Sequence, residues 1–143
     1  MIWNWLKNLI FPEQINGANR CETYLFRWHL LSLPWCKVYL HRFVADDWSR
    51  DMHDHPKRFI SIGLWGRYTE WTPAGSRRYS APWVRTFPAE HIHRLTIDEG
   101  RECWTLVIVL AAMRPWGFWH LGQFIPWKKY VTSTLADQMK SCP

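Results

Sequence analysis

Cysteine is scarce in this 143-residue chain: Cys21, Cys36, Cys103 and Cys142 are its four, and none forms a C-x-x-C pair. That excludes a dense disulfide framework and a thiolate zinc site, and it fits free thiols in a reducing cytosol. Long apolar runs are missing as well. The most continuous one, Cys103 to Ala112, is about half of what a bilayer span requires. Acidic residues are the scarcer charge, 12 against 18 basic ones, for a formal net charge of +6. Most of the basic residues are Arg, but they are dispersed, and the only tight pair is Arg77-Arg78. Dispersed charge reads as a solvated surface, so nucleic acid is not an expected partner. No long helical crossover separates strand-like segments, which excludes a parallel α/β sheet. No internal repeat, low-complexity stretch or second domain is visible.

What is present is a succession of short strand-like segments. Lys37 to Val44 alternates, with Val38, Leu40 and Arg42 on one face and Tyr39, His41 and Phe43 on the other. Arg58 to Leu64 is apolar and β-prone, Gly66 breaks it, and Arg67 to Thr72 resumes. Pro73-Ala74-Gly75-Ser76 is a tight turn with a hairpin return from Arg77. Trp83 to Phe87, His91 to Ile97, Cys103 to Ala112 and Phe118 to Phe124 follow. The Cys103 run reads as a strand buried on both faces. Turns about ten residues apart predict an all-β antiparallel barrel or sandwich. The 12 Trp residues mostly fill its core, Trp104, Trp116 and Trp119 among them.

The first eleven residues, MIWNWLKNLIF, are too short and too polar for a signal peptide or a span. Ile2, Leu6, Leu9 and Ile10 fall at helical spacing. A short amphipathic helix packing on the domain is expected, with a surface membrane anchor as the alternative. The domain plan is an N-terminal arm over 1–20, a barrel over 21–127 and a polar tail over 128–143. A cytoplasmic location is expected, and a membrane partner is not.

The chemistry is concentrated in the histidines. His53-Asp54-His55 places two imidazoles on one face of an extended segment, because side chains alternate with period two. A third His from a neighbouring strand completes a facial metal site. Imidazole suits iron, zinc, copper and nickel. With seven His in the chain, a chance H-x-H is the plain alternative. His93 and His91 share a strand face and compete for the third place.

These residues resemble the two motifs of the cupins, small jelly-roll metalloproteins. The first is G-x5-H-x-H-x(3,4)-E-x6-G. Here His53, His55 and Gly66 keep its spacing, while Asp47 stands for the leading Gly and Phe59 for the metal-binding Glu. The second is G-x5-P-x-G-x2-H-x3-N. Pro88 and His93 keep that spacing, with Pro82, Glu90 and Ile97 in place of Gly, Gly and Asn. The likeness runs from about Val38 to Trp119. It implies a double-stranded β-helix, the cupin jelly-roll barrel, with a short N-terminal helix. It also implies one divalent metal on His53, His55 and His93, with the spacing favouring His93 over His91. Three His without a carboxylate resemble the thiol dioxygenases, so Fe(II) is the expected ion, with Zn, Mn or Ni as alternatives. An anionic thiolate can offset the full charge that a neutral triad leaves on a metal.

Three further residues are candidates for catalysis. His91 is either the third ligand or a neighbouring acid/base. Glu70 shares a strand face with Tyr68 and is either a replacement carboxylate inside the barrel or a surface partner for an Arg. Arg42 is either a fork for a substrate carboxylate or an ion pair with Asp46 or Asp51. Glu90 is a candidate to orient a ligand's second ring nitrogen. His41 and Asp54 read as structural, with Asp54 pointing outward. Together with the resemblance, these residues lead to an O2-dependent oxidation of a small polar substrate, with a thiol as the candidate that the likeness to thiol dioxygenases implies. The rivals are a metal-dependent isomerase or lyase, and a non-enzymatic ligand-binding cupin. A homodimer through an exposed strand is one possible assembly.

Overall fold

The computed structural model describes residues 2–16, 23–47, 51–111 and 113–133. Cys21, Cys142 and the tail from 134 onward lie outside the described residues. The elements in chain order are α1 (Ile2–Ile10), β1 (Glu13–Asn16), β2 (Thr23–Ser32), β3 (Cys36–Phe43), β4 (Met52–His53) and β5 (Phe59–Thr72). They continue with β6 (Gly75–Ser80), β7 (Trp83–Phe87), β8 (Arg94–Thr96), β9 (Cys103–Leu110), β10 (Gly117–His120), β11 (Gln123–Pro126) and α2 (Trp127–Val131). Every strand pairing among the described residues is antiparallel. The large sheet runs β1-β2-β3-β9-β5-β6, with β7 and β8 also on β5; the small one runs β11-β10-β4. This is the curled all-β jelly roll expected, with α1 packed on β2. The arm adds β1 to the edge of the sheet rather than standing apart from it. No described helix is long and apolar enough to cross a membrane.

β5 organises the barrel. Its first half pairs with β9 and β7, and its second half with β6 and β8. The break expected at Gly66 is instead a bend inside one 14-residue strand. A register shift falls between Gly63 and Trp65, and Gly66 takes φ +79. A Cβ at Gly66 would meet the Glu102 carbonyl at 2.1 Å, so glycine is required there on two counts. The strand therefore bends without ending, which sends its two halves into different sheet partnerships.

The inner face stacks in rows across β7, β5 and β9: Phe87, Phe59 and Val109; then Arg85, Ser61 and Val107; then Trp83, Gly63 and Thr105. Gly63 leaves room for the Trp83 ring, which would lie 2.2 Å from a Cβ there. Below these rows Tyr68, Ile97 and Cys103 form a buried cluster, packed by Phe43, Tyr79, Trp83 and Leu95. Each fully buried large side chain contributes on the order of 2 kcal/mol. On β9 only Cys103, Thr105 and Val107 are buried; Trp104, Leu106 and Ile108 are partly covered. The strand is thus buried on one face, not two.

Two further boundaries differ from expectation. Phe118 to Phe124 is not one strand but the hairpin β10–β11. Its turn places Leu121 at φ 49 and Gly122 at φ 79, the two positive angles of a tight hairpin. Leucine rarely adopts that conformation, which hid the turn. The alternating segment from His91 forms a strand only over Arg94–Thr96, because His91 is held in the turn from Pro88 by its N–H to the Pro88 carbonyl at 3.1 Å. α2, Trp127–Val131, carries the chain from β11 into the polar tail.

Candidate metal centre

The histidines converge because three segments meet at one end of the barrel. His53 ends β4, His55 leads into β5, and His93 immediately precedes β8. His53 and His93 exchange backbone hydrogen bonds at 2.8 and 3.0 Å, joining the small sheet to the large one. The His55 N–H donates to the Ala89 carbonyl at 2.9 Å. The ligand-capable atoms of His53, His55 and His93 all lie within 4.8 Å of one another. His55 Nε2 and His93 Nε2 are 2.9 Å apart. Two ligands at about 2.1 Å from one ion and at right angles stand about 3 Å apart, whereas a tetrahedral angle opens this to about 3.4 Å. The 2.9 Å separation is that of an imidazole–imidazole hydrogen bond, and it is short enough for both nitrogens to reach one ion.

Glu70 lines the barrel and is 2% exposed. Its Oε1 accepts from His93 Nδ1 at 2.7 Å and from His91 Nε2 at 2.8 Å. Its Oε2 accepts from Arg85 Nη2 at 2.6 Å, and Arg85 Nη1 donates to the Tyr68 hydroxyl at 2.7 Å. Glu70 thus lies inside the barrel, as one sequence reading places it, and is paired with an Arg, as the other has it. Glu70 takes the proton-bearing side of His93 and leaves His93 Nε2 as a lone-pair donor facing His55. Carboxylate support of this kind fixes tautomer and ring orientation in metal sites. His93 belongs to two clusters that could each hold an ion, one with His53 and His55 and one with Glu70 and His91.

Electrostatics favour ligand forms. Burial pushes the His53 pKa down to about 3, with the neighbouring His93 and His91 adding to the effect. Burial likewise holds His55 well below its ordinary value, and it lowers His93 despite the opposing Glu70. Neutral imidazole is the form that binds metal. Burial alone would raise Glu70, but hydrogen bonds from His91, His93 and Arg85 win and hold it well below the usual carboxylate range. Around the triad, Phe59, which stands at the carboxylate position of the cupin motif, sets its ring 4.7 Å from that of His55 and stacks on Phe87. Phe118 closes the His53 side at 5.9 Å, and Tyr130 of α2 stacks on Phe118 at 4.0 Å.

Several sequence assignments need correction. Arg42 lies on the outer face of the sheet, beside Phe26 and Trp104, and donates from Nε to Glu102 at 2.6 Å. Tyr39, His41 and Phe43 hold the inner face, so alternation turns Arg42 away from the histidines. Its partner is neither Asp46 nor Asp51; the Asp46 and Asp47 carboxylates instead accept the Ile97 and Leu95 N–H groups at 2.7 and 2.9 Å. Asp54 is structural but buried at 1% exposure, not outward. Glu90 is exposed and, among the described residues, pairs with Arg114 at 4.0 Å; it is Glu70 that bonds the second ring nitrogen of His93. His41 is structural, accepting from Arg27 Nε at 2.9 Å. Cys103 is fully buried and burial raises its thiol to about 12, so it is inert. A cavity of about 390 Å³, lined by Pro56, Arg58, Glu90, Met113 and Arg114 among others, lies on these loops and shares no residue with the triad.

Two residues of the site went unnoticed in the sequence. Arg85 had a signal: it alternates between Trp83 and Phe87, which puts a guanidinium on an inward face. Arg114 had none, because it binds a carboxylate and carbonyls some sixty and twenty-five positions away.

No protein-family model matches this sequence, and no curated protein matches it significantly. Solved structures do match its fold. The polyketide cyclase RemF from Streptomyces resistomycificus is 14% identical with a TM-score of 0.64, over 90% of this chain and 91% of that one. A sugar phosphate isomerase of the cupin superfamily from Silicibacter pomeroyi is 16% identical with a TM-score of 0.57, over 76% and 74%. A cupin-like protein from Thermotoga maritima is 14% identical with a TM-score of 0.53, over 82% and 85%. The chain has the cupin fold. Its histidine cluster stands where the two cupin motifs of the sequence meet, and it is a possible metal site of His and Glu side chains.

Proposed function

We propose that this cupin is a metal-dependent enzyme acting on a small polar substrate, with one divalent ion held by His53, His55 and His93. The observation that carries this reading is the facing pair of His55 and His93 nitrogens at 2.9 Å, with Glu70 fixing the far side of His93. When bound, the ion supplies Lewis acidity and a template that fixes the substrate.

The reaction best supported is proton transfer of the isomerase or lyase type, with Zn, Mn or Ni. The His91–Glu70 pair supports it. A His held by a carboxylate beside a substrate position is the arrangement of a general acid/base. In this reading His91 moves a proton at the substrate, Glu70 keeps its ring oriented, and Arg85 keeps Glu70 ionised. Phe59, Phe87 and Phe118 keep water from the triad. Structural neighbours named as a cyclase and an isomerase are consistent with such chemistry.

A second reading, O2-dependent oxidation of a thiol with Fe(II), is favoured by Phe59 in the carboxylate position, which leaves three neutral ligands. It has lost its substrate anchor, since Arg42 faces outward with Glu102. One experiment separates the two. The protein is loaded in turn with Fe(II), Zn, Mn and Ni. Hydroxycarbonyl compounds are then screened for C–H exchange in D2O by NMR, and thiols for oxygen uptake. Exchange that is abolished by His91→Ala supports proton transfer. Oxygen uptake with Fe(II) alone supports the oxidation. Tight ligand binding with neither reaction leaves a binding module and overturns both.

A further inference from the structure

Asp54 sits between the two histidines of the H-x-H pair and is 1% exposed. Its Oδ1 accepts the Gly117 N–H at 2.8 Å, and its Oδ2 accepts from Arg114 Nη1 at 2.9 Å. The same Nη1 reaches the carbonyl oxygens of His55 at 3.3 Å and Ala89 at 3.5 Å. Backbone bonds close the arrangement. The Asp54 N–H donates to the Gly117 carbonyl at 3.1 Å, and the Arg114 N–H to the Pro56 carbonyl at 2.9 Å. The Asp54–Arg114 pair therefore ties together the segment carrying His53 and His55, the loop from Ala89 into His91 and His93 through Arg114, and the start of β10 through Asp54.

None of these bonds touches a ring nitrogen of the triad. A buried ion pair by itself adds little stability, since desolvation offsets its attraction. What this one fixes is geometry. The His55 and Ala89 carbonyls are set relative to one another, and so is the spacing of the rings that follow them. All three contacts leave from one nitrogen, Nη1: the bond to Asp54 at 2.9 Å is the short one, and the same NH2 group spans the His55 and Ala89 carbonyls at 3.3 and 3.5 Å.

We propose that Asp54 and Arg114 are positioning residues for the divalent ion: their clamp presets the His55–His93 spacing before the ion arrives. This rests on the metal-site reading above. The test uses Arg114→Met, which keeps the apolar stem but removes every bond of Nη1, with Asp54→Asn as a second variant if the first does not fold. Two quantities are read. The first is the Kd and visible spectrum of Co(II). The second is the set of imidazole ¹⁵N signals of the metal-free protein, with His120 as an internal control. The expected result is a Kd about ten- to a hundred-fold weaker, a shifted Co(II) band, and displaced signals for His55 and His93 but not His120. Wild-type Kd, band and ring signals would overturn the proposal, whatever happened to thermal stability. If the wild type takes up no Co(II), the metal reading fails separately. The ring signals then decide: displaced His55 and His93 signals sustain the clamp, and unchanged ones overturn it.

Discussion

Replacing Glu70 by Gln tests the centre of the site without changing its shape. The side chain is 3% exposed and accepts three charge-assisted hydrogen bonds, from His91, His93 and Arg85. A glutamine offers one oxygen and one NH2. With the oxygen toward the histidines, the NH2 faces the Arg85 donors; reversed, it faces two imidazole N–H groups. Either way a buried donor meets a donor, and Arg85 loses its counter-charge. Breaking a buried pair by neutralising one partner costs about 3–5 kcal/mol. Lost orientation of His93 costs about ten- to a hundred-fold in metal affinity, or about 1.4–2.8 kcal/mol. Urea unfolding of the metal-free protein reads the first quantity, and Co(II) titration of the folded protein reads the second. Stability within about 0.5 kcal/mol of wild type together with unchanged affinity would refute the reasoning.

Acid should destabilise the metal-free protein in two overlapping stages. The folded pKa of His53 lies near 3, below its unfolded value of about 6.5, so the unfolded chain binds the proton first and stability falls as pH drops below about 6.5. Glu70 is also depressed; its contribution is fully present above about 4.3 and is lost as pH falls further. Urea midpoints between pH 7.5 and pH 4 should decline steadily, and a flat profile would contradict the buried neutral histidines. Arg42→Ala should cost under about 1 kcal/mol, since both it and Glu102 are more than a third exposed, and should leave metal binding unchanged; a large loss of metal or activity would restore Arg42 to the site. Gly66→Ala should lower the melting temperature markedly, through a left-handed angle costing about 1–2 kcal/mol and a collision with the Glu102 carbonyl; a wild-type melting curve would show that the β5 bend is not obligatory.

Much of this was legible in the chain, for identifiable reasons. Alternation over Lys37 to Val44 and the turn at Pro73 to Ser76 are local signals, and they placed β3 and the β5–β6 hairpin. The H-x-H pair stood out because alternation puts both imidazoles on one face, whereas periodicity left His91 and His93 equal and only the spacing of the cupin motif favoured His93. What stayed hidden depends on contacts distant in sequence. Glu70 left two readings open because its partners, His91, His93 and Arg85, lie 15 to 23 positions on. Arg42 misled because its apolar neighbours suggested an inner face; the outer face of this sheet is itself apolar and aromatic, with Phe26 and Trp104 around the guanidinium. Gly66 looked like a terminator because a bend and an end share the same local requirement for positive φ.

The central claim is that His53, His55 and His93 hold one divalent ion. The most direct measurement is metal analysis of protein purified without chelator or affinity metal, for the wild type and the His53→Ala/His93→Ala double variant, each checked for folding by circular dichroism. The account predicts close to one equivalent of metal in the wild type and none in the folded variant. Equal metal in both proteins, or none in the wild type even after incubation with Fe(II), Zn, Mn and Ni, would contradict it.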